Sequence, residues 1–201
     1  MEFGGTPESN TMKAVIGLGN PGAQYIRTRH NAGFRVVDAL TAGKGWSEER
    51  EKRSSLGGQT VRYRCSVKSG EWVAIKPLTF MNASGAAFVA ALKDFGVEAA
   101  DSLVILDDVS LPLGRLRLKP SGSSGGQKGL EDILNLAGTD QIARLRFGVG
   151  NDKMPPDLAA FVLAEFEREE EKVLEAAIDR AKDAVGVWAG SGMDEAMNRF
   201  N

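Results

Sequence analysis

Short apolar runs rich in β-branched residues alternate along this chain with segments whose apolar positions recur every three or four residues. That is the pattern of strands alternating with amphipathic helices. Residues 12–18 form an apolar run that ends in glycines and reads as a buried strand feeding a turn. Residues 31–42 read as a helix, with Phe34, Val37, Ala39 and Leu40 at roughly helical spacing and Gly43 placed to end it. Residues 57–67 and 71–75 read as paired strands around Lys68-Ser69-Gly70, and Asn82 opens a helix that runs to Phe95 and closes at Gly96. A continuous apolar strand at 102–106 follows, with Asp107 and Asp108 at its carboxyl end, then an extended stretch at 116–119. The glycine- and serine-rich segment 120–126 is too punctuated for regular structure. Residues 127–136 read as a helix and 143–149 as a strand, and a last long helix at about 167–190 places Leu174, Ile178, Ala181, Val185 and Trp188 on one face.

Strands alternating with helices predict the α/β class, here a single domain over residues 12–201 whose twisted, mostly parallel mixed β-sheet is flanked by helices. Residues 1–11 carry two glutamates, no Lys or Arg, and a Gly-Gly-Thr-Pro stretch. They read as a disordered leader rather than a secretory or transit signal, both of which need basic residues. At 201 residues the chain is long enough to bury a sizeable core. No apolar run approaches the roughly 20 residues of a membrane helix, so no membrane partner is expected. Cys65 is the only cysteine, which excludes an internal disulfide and a thiolate metal cluster and suits a reducing compartment, so Cys65 reads as inert. The net charge of −2 hides an asymmetry: residues 111–153 hold seven Lys/Arg against four Asp/Glu, and residues 154–201 hold five against eleven. A basic middle suits an anionic partner.

Only one histidine occurs in the chain, His30, so imidazole proton transfer near neutral pH must use it. In an α/β sheet, ligands bind beyond the carboxyl ends of strands, and Asn20, Asp107 and the 120s loop all lie at or just after such ends, where they can share one crevice. Gly17-x-Gly19-x-x-Gly22 matches a dinucleotide fingerprint by letter. Pro21 stands where the phosphate-facing helix should open, however, and no acid-ending second strand follows, so the glycines are expected instead to form a tight turn that aims Asn20. An asparagine so placed can donate to a carbonyl and accept from an amine or hydroxyl. Adjacent strand residues face opposite ways, so only one of Asp107 and Asp108 is expected to face His30. A carboxylate on one imidazole nitrogen fixes the tautomer and supports the imidazolium that forms when the other takes a proton. No Ser or Cys stands in a nucleophile-elbow context, which leaves water as the attacking species. Arg115, Arg117, Lys119, Lys128, Arg144 and Arg146 bracket the glycine-serine loop, a composition suited to gripping phosphates.

Gly17-Leu18-Gly19-Asn20-Pro21-Gly22, Tyr25, Thr28-Arg29-His30-Asn31-Ala32-Gly33, Lys76-Pro77-Leu78-Thr79-Phe80-Met81-Asn82, Leu111-Pro112-Leu113-Gly114 and Arg144-Leu145-Arg146-Phe147-Gly148 occur in this order. Together these blocks resemble the bacterial-type peptidyl-tRNA hydrolases over about residues 12–200. The resemblance implies hydrolysis of the ester joining a peptide to the 3′ ribose of tRNA, with His30 as general base, Asp107 as the carboxylate that orients it, and Asn20 as the residue that tells an acylated amino group from a free one. It implies further that Tyr25, Phe80 and Asn82 line the 3′-end and peptide site, Asn82 sharing in catalysis, and that Lys119 and Arg146 grip tRNA phosphate. No metal and no cofactor is implied. The expected partner is peptidyl-tRNA alone, met by a cytoplasmic monomer with no obligate protein partner. One block departs from the family's usual Gly-Gly-His-Asn-Gly: here it reads Gly125-Gly126-Gln127-Lys128-Gly129. Lys128 stands where an asparagine helps to position water and the tRNA end, and it can bind phosphate but cannot accept a hydrogen bond while protonated. That altered block and the basic middle leave a second reading, a non-catalytic RNA-binding relative comparable to the plastid splicing factors of this fold.

Overall fold

The computed structural model describes residues 12–53, 59–67, 70–152 and 154–201; the expected leader at 1–11 lies outside them. The elements along the chain are β1 (Lys13–Gly17), α1 (Ala32–Thr41), β2 (Trp46–Arg53), β3 (Gln59–Val67), β4 (Gly70–Pro77), α2 (Ser84–Phe95), β5 (Ser102–Pro112), β6 (Leu116–Lys119), α3 (Lys128–Ala137), β7 (Ala143–Gly150), α4 (Leu158–Leu163), α5 (Glu171–Ser191) and α6 (Met193–Phe200). The seven strands form one sheet in the order β2-β3-β4-β1-β5-β7-β6. Its centre, β4-β1-β5-β7, is parallel. The pairs β2-β3, β3-β4 and β6-β7 at the margins are antiparallel.

Strand alternation divides the apolar residues between two cores. Val15, Leu103 and Ile105 face one side, where α1, α5 and α6 cover them with Val36, Val37, Leu174, Trp188 and Ala196. Ala14, Ile16, Val104 and Leu106 face the other, covered by Phe88 and Ala91 of α2 and Ile133 of α3. A fully covered parallel centre is the arrangement that near-continuous apolar strands require. The chain therefore leaves β1 through a helix on one face and leaves β4 through a helix on the other. Such a reversal opens a crevice beyond the carboxyl ends of the central strands.

Two expectations change here. Gly17 and Gly19 do not make a tight turn: Gly17 is the last residue of β1, residues 18–21 are extended or irregular, and the chain bends only at Gly22 (φ 114°). Gly17 and Gly33 serve a close approach of α1 to the sheet instead. A Cβ on Gly33 would lie 2.5 Å from Leu18 N and 2.6 Å from Leu18 O and would also strike the Ile105 carbonyl, while one on Gly17 would strike the Gly33 carbonyl. With no side chains between them, Leu18 N–H donates to Ile105 O at 2.9 Å and Phe34 N–H donates to Leu18 O at 3.2 Å. The second change concerns Asp107 and Asp108, which are not at the end of β5. The strand runs on to Pro112, but its partner β1 stops pairing at Ile105, so both carboxylates stand where β5 outruns its neighbour.

Strand β2, α4 and α6 have no counterpart in the sequence reading. The run Trp46–Arg53 is almost wholly polar, so it lacks an apolar alternation to announce a strand; it forms the sheet's edge, where charged residues discourage pairing with other chains. The opposite edge is closed by Asn201, whose amide accepts from Leu118 N at 2.6 Å and donates to Leu118 O at 3.1 Å. No helix among the described residues is long and apolar enough to cross a membrane.

Candidate active site

His30 sits on a single 3-10 turn, Arg29–Asn31, just before α1, and both of its neighbours fasten that turn. Arg29 is buried. It donates to the Glu170 carboxylate at 3.1 and 2.5 Å and to the Val149 carbonyl at 3.1 Å, and its guanidinium lies 4.4 and 4.7 Å from the ring centres of Phe161 and Phe166. Burial opposes ionisation of Glu170, but the hydrogen bonds from Arg29, Asn151 and the Glu167 N–H outweigh it and hold the carboxyl below its ordinary range. On the other side of His30, Asn31 accepts from the Asn20 N–H at 2.8 Å and donates to the Asn20 carbonyl at 3.0 Å. Neither Arg29 nor Asn31 stands out in the sequence as a site-building residue. Arginine is read there as a surface cation, and nothing local reveals that this one is enclosed by two rings that lie far along the chain.

The histidine Nδ1 lies 2.8 Å from Asp107 Oδ2, and the carboxylate is almost fully buried. With Nδ1–H donated to the carboxylate, Nε2 keeps its lone pair and can take a proton. The second oxygen of Asp107 accepts from Gln127 Nε2 at 3.2 Å. The two adjacent aspartates separate as strand alternation requires: Asp108 pairs instead with Arg146 and accepts from Ser110 N–H at 2.9 Å and Ser110 Oγ–H at 2.7 Å.

Beside this pair lies a cavity of about 450 Å³, lined among others by His30, Asp107, Gln127, Lys128, Arg146 and, from α4, Leu158. Asn20 opens onto a second cavity of about 580 Å³ with Pro21, Ile26, Phe34 and Lys76. The Asn20 side chain is as constrained as its backbone, because Oδ1 accepts from Met81 N–H at 2.8 Å. That bond fixes the orientation of the amide and directs Nδ2 away from Met81 N. Met81 in turn receives Gln127 Nε2 on its sulfur at 3.1 Å. A continuous chain of contacts therefore runs from His30 through Asp107, Gln127 and Met81 to Asn20.

The other expected site residues stand apart from this chain. Phe80 and Asn82 flank Met81 on the turn Met81–Ala83 and are exposed, while Tyr25 is half-buried; none of the three lines either cavity. Lys128 lies exposed on the cavity rim, with Glu131 at 3.3 Å. Arg146 lines the cavity but is already held by Asp108 and by Ser110 Oγ at 3.1 Å. Lys119 is exposed on β6 opposite Arg144, three residues or about 10 Å along β7 from the level of Asp107. Arg144 is not a surface cation: it is buried and donates to the carbonyls of Gly122, Ser123, Ile142 and Asp140, so it orders the glycine-serine loop from beneath. Burial raises the Cys65 thiol above its ordinary value, which keeps it protonated and unreactive. Among the described residues, no group of three or more His, Cys, Asp or Glu side chains is arranged to hold a metal ion.

Comparison with known proteins adds three findings. The family model described as Peptidyl-tRNA hydrolase matches residues 14–201. Relatives named peptidyl-tRNA hydrolase include one from Chlorobaculum tepidum, 40% identical over 191 residues that cover 94% of this chain and 98% of that protein, and one from Desulforudis audaxviator, 43% identical over 190 residues that cover 94% and 93%. Among solved structures, peptidyl-tRNA hydrolase from Acinetobacter baumannii is similar with a TM-score of 0.82 and 31% identity, covering 97% of this chain and 96% of that one.

Proposed function

The chain belongs to the peptidyl-tRNA hydrolase family, and from that premise we propose that it hydrolyses the ester between a peptide and the 3′ ribose of tRNA, with His30 as general base. The observation that carries this choice of base is the 2.8 Å bond from His30 Nδ1 to a buried Asp107 at the edge of a cavity. That bond fixes the tautomer whose Nε2 can accept a proton.

In this reading Nε2 takes a proton from water, and the water oxygen bonds to the ester carbonyl carbon. The tetrahedral intermediate then collapses with rupture of the bond to the ribose oxygen, which leaves with the proton held on His30. The products are a peptide carboxylic acid and tRNA with a free 3′ hydroxyl. The Asn20 and Asn82 amides hold the carbonyl and the peptide backbone, hydrogen bonds that strengthen as negative charge grows on the carbonyl oxygen. Asn20 suits the task because Met81 N–H holds its side-chain oxygen and no hydrogen bond described engages its side-chain N–H groups. Tyr25 and Phe80 offer faces to the tRNA 3′ end and the peptide, and Lys119, Lys128 and Arg146 meet phosphates. For Arg146 this means sharing with, or release from, Asp108. A tRNA substrate supports a cytoplasmic location, and we assign the protein there as a monomer that needs neither metal nor cofactor.

The test is incubation of the pure protein with N-acylated aminoacyl-tRNA and, in parallel, with the unblocked form. Release of free tRNA from the blocked substrate alone is the expected result. Retained tRNA binding without cleavage would overturn the reading in favour of a non-catalytic RNA binder.

A further inference from the structure

Gln127 is an odd choice for its position. It caps the N-terminus of α3, its Oε1 accepting the Leu130 N–H at 2.7 Å, a role for which Ser, Thr, Asp and Asn are strongly preferred. Those shorter side chains would satisfy the helix and reach nothing else. Glutamine is long enough to do more, and both hydrogens of its amide are in use: one meets Asp107 Oδ1 at 3.2 Å and the other Met81 Sδ at 3.1 Å. Each end of the amide is therefore fixed, the oxygen by a helix and the nitrogen by the carboxylate that faces His30. The neighbouring sequence is shaped to permit this. A Cβ on Gly129, in the first turn of α3, would come within 2.5 Å of Met81 Sδ and 3.1 Å of Gln127 Oε1, so a side chain there would displace the sulfur that seats the amide.

We propose that Gln127 is a positioning residue for the reaction: it clamps Asp107 from the side opposite His30, and through Met81 it sets the same register for Asn20. The inference rests on the reading of His30 as base. Without the Gln127 donor, Asp107 has one tie fewer and is free to rotate away from Nδ1. The remaining charged groups that line this cavity are Asp108 and Arg146, already paired with each other, and Lys128 on the rim; none of them replaces a donor to Asp107 Oδ1 among the hydrogen bonds described.

Gln127→Asn separates capping from positioning, because asparagine keeps the acceptor that caps α3 while its amide, one methylene shorter, no longer reaches Asp107. Gln127→Ala removes both. The expected result for Gln127→Asn is a Tm close to that of the wild type and a kcat on N-acylated aminoacyl-tRNA lowered about tenfold, part of the 10²–10⁴ that a positioned base contributes. KM should change little. Gln127→Ala should lower kcat similarly and lower Tm as well. A wild-type kcat in Gln127→Asn would overturn the proposal and leave Gln127 a helix cap. Failure of the wild type to cleave would instead remove the assignment of His30, and this inference with it.

Discussion

His30 and Lys128 line the same cavity and are held in opposite ways. The imidazole is bonded to a buried carboxylate that is itself bonded on its far side, and the turn beneath it is fastened by Arg29 and Asn31. Lys128, like Lys119, Phe80 and Asn82, stands in solvent on the outer surface; its partner Glu131 is only half-exposed but lies on the same helix, one turn away. An exposed pair of that kind contributes about 0–1 kcal/mol and is easily exchanged for another anion. The contrast follows from the task. Proton transfer is lost when atoms move by an ångström, whereas a grip on a polyanion comes from releasing its counterions and tolerates many side-chain conformations. The inner region is expected to respond to substitution in kcat and fold, and the rim in affinity and salt dependence.

The largest departure should come from His30→Ala, which removes the only imidazole. Single-turnover kinetics should show a loss of about 10²–10⁴ with tRNA affinity nearly unchanged, and equal turnover would erase the distinction between the two regions. Next in size is Arg29→Ala. It leaves the partly buried Glu170 without its cation, a defect that costs up to about 3–5 kcal/mol and should appear in denaturant unfolding. Folding lowers the Glu170 carboxyl from its ordinary value of 4.5. Its contribution is therefore complete above that value and is lost as pH falls through the lowered one. Wild-type stability should fall over that acidic window, and the Arg29 variant should fall less. Gly33→Ala should cost about 1–3 kcal/mol by pushing α1 off the backbone of Leu18 and Ile105, and because the turn bearing His30 leads directly into that helix, kcat should drop with it. The smallest effects belong to the rim. Lys119→Ala and Lys128→Ala should each flatten the dependence of log affinity on log salt by about 0.7–0.9, with kcat retained at saturation; unchanged slopes in both would place the RNA on another face.

What could be read from residues alone divides along the same line. The covered strands β1, β5 and β7 and the long α5 declare themselves because continuous burial demands continuous or regularly spaced apolar residues. That one of two adjacent carboxylates turns toward the one imidazole is legible from strand alternation, whereas the choice of Asp107 over Asp108 comes from the family resemblance. Contacts made by polar groups across long stretches of chain left no such mark. Arg29 meets Glu170, 141 residues away; Arg144 reaches back 22 residues to Gly122; the Gln127 amide meets Met81 and Asp107, 46 and 20 residues off. Each looks in the sequence like an ordinary hydrophilic position. The glycines misled for a related reason. Gly17, Gly19 and Gly33 are needed for what another segment places against them, and neither periodicity nor turn chemistry encodes that.

Because His30 is the one histidine in the chain, its ring carbons give the only imidazole resonances in a carbon–proton NMR spectrum, and the protonation of the base can be followed without assigning any other signal. With Nδ1 already engaged, an acylating reagent such as diethyl pyrocarbonate meets imidazole at a single nitrogen. The protein thus carries its own reporter for ligands that reach the cavity lined by His30.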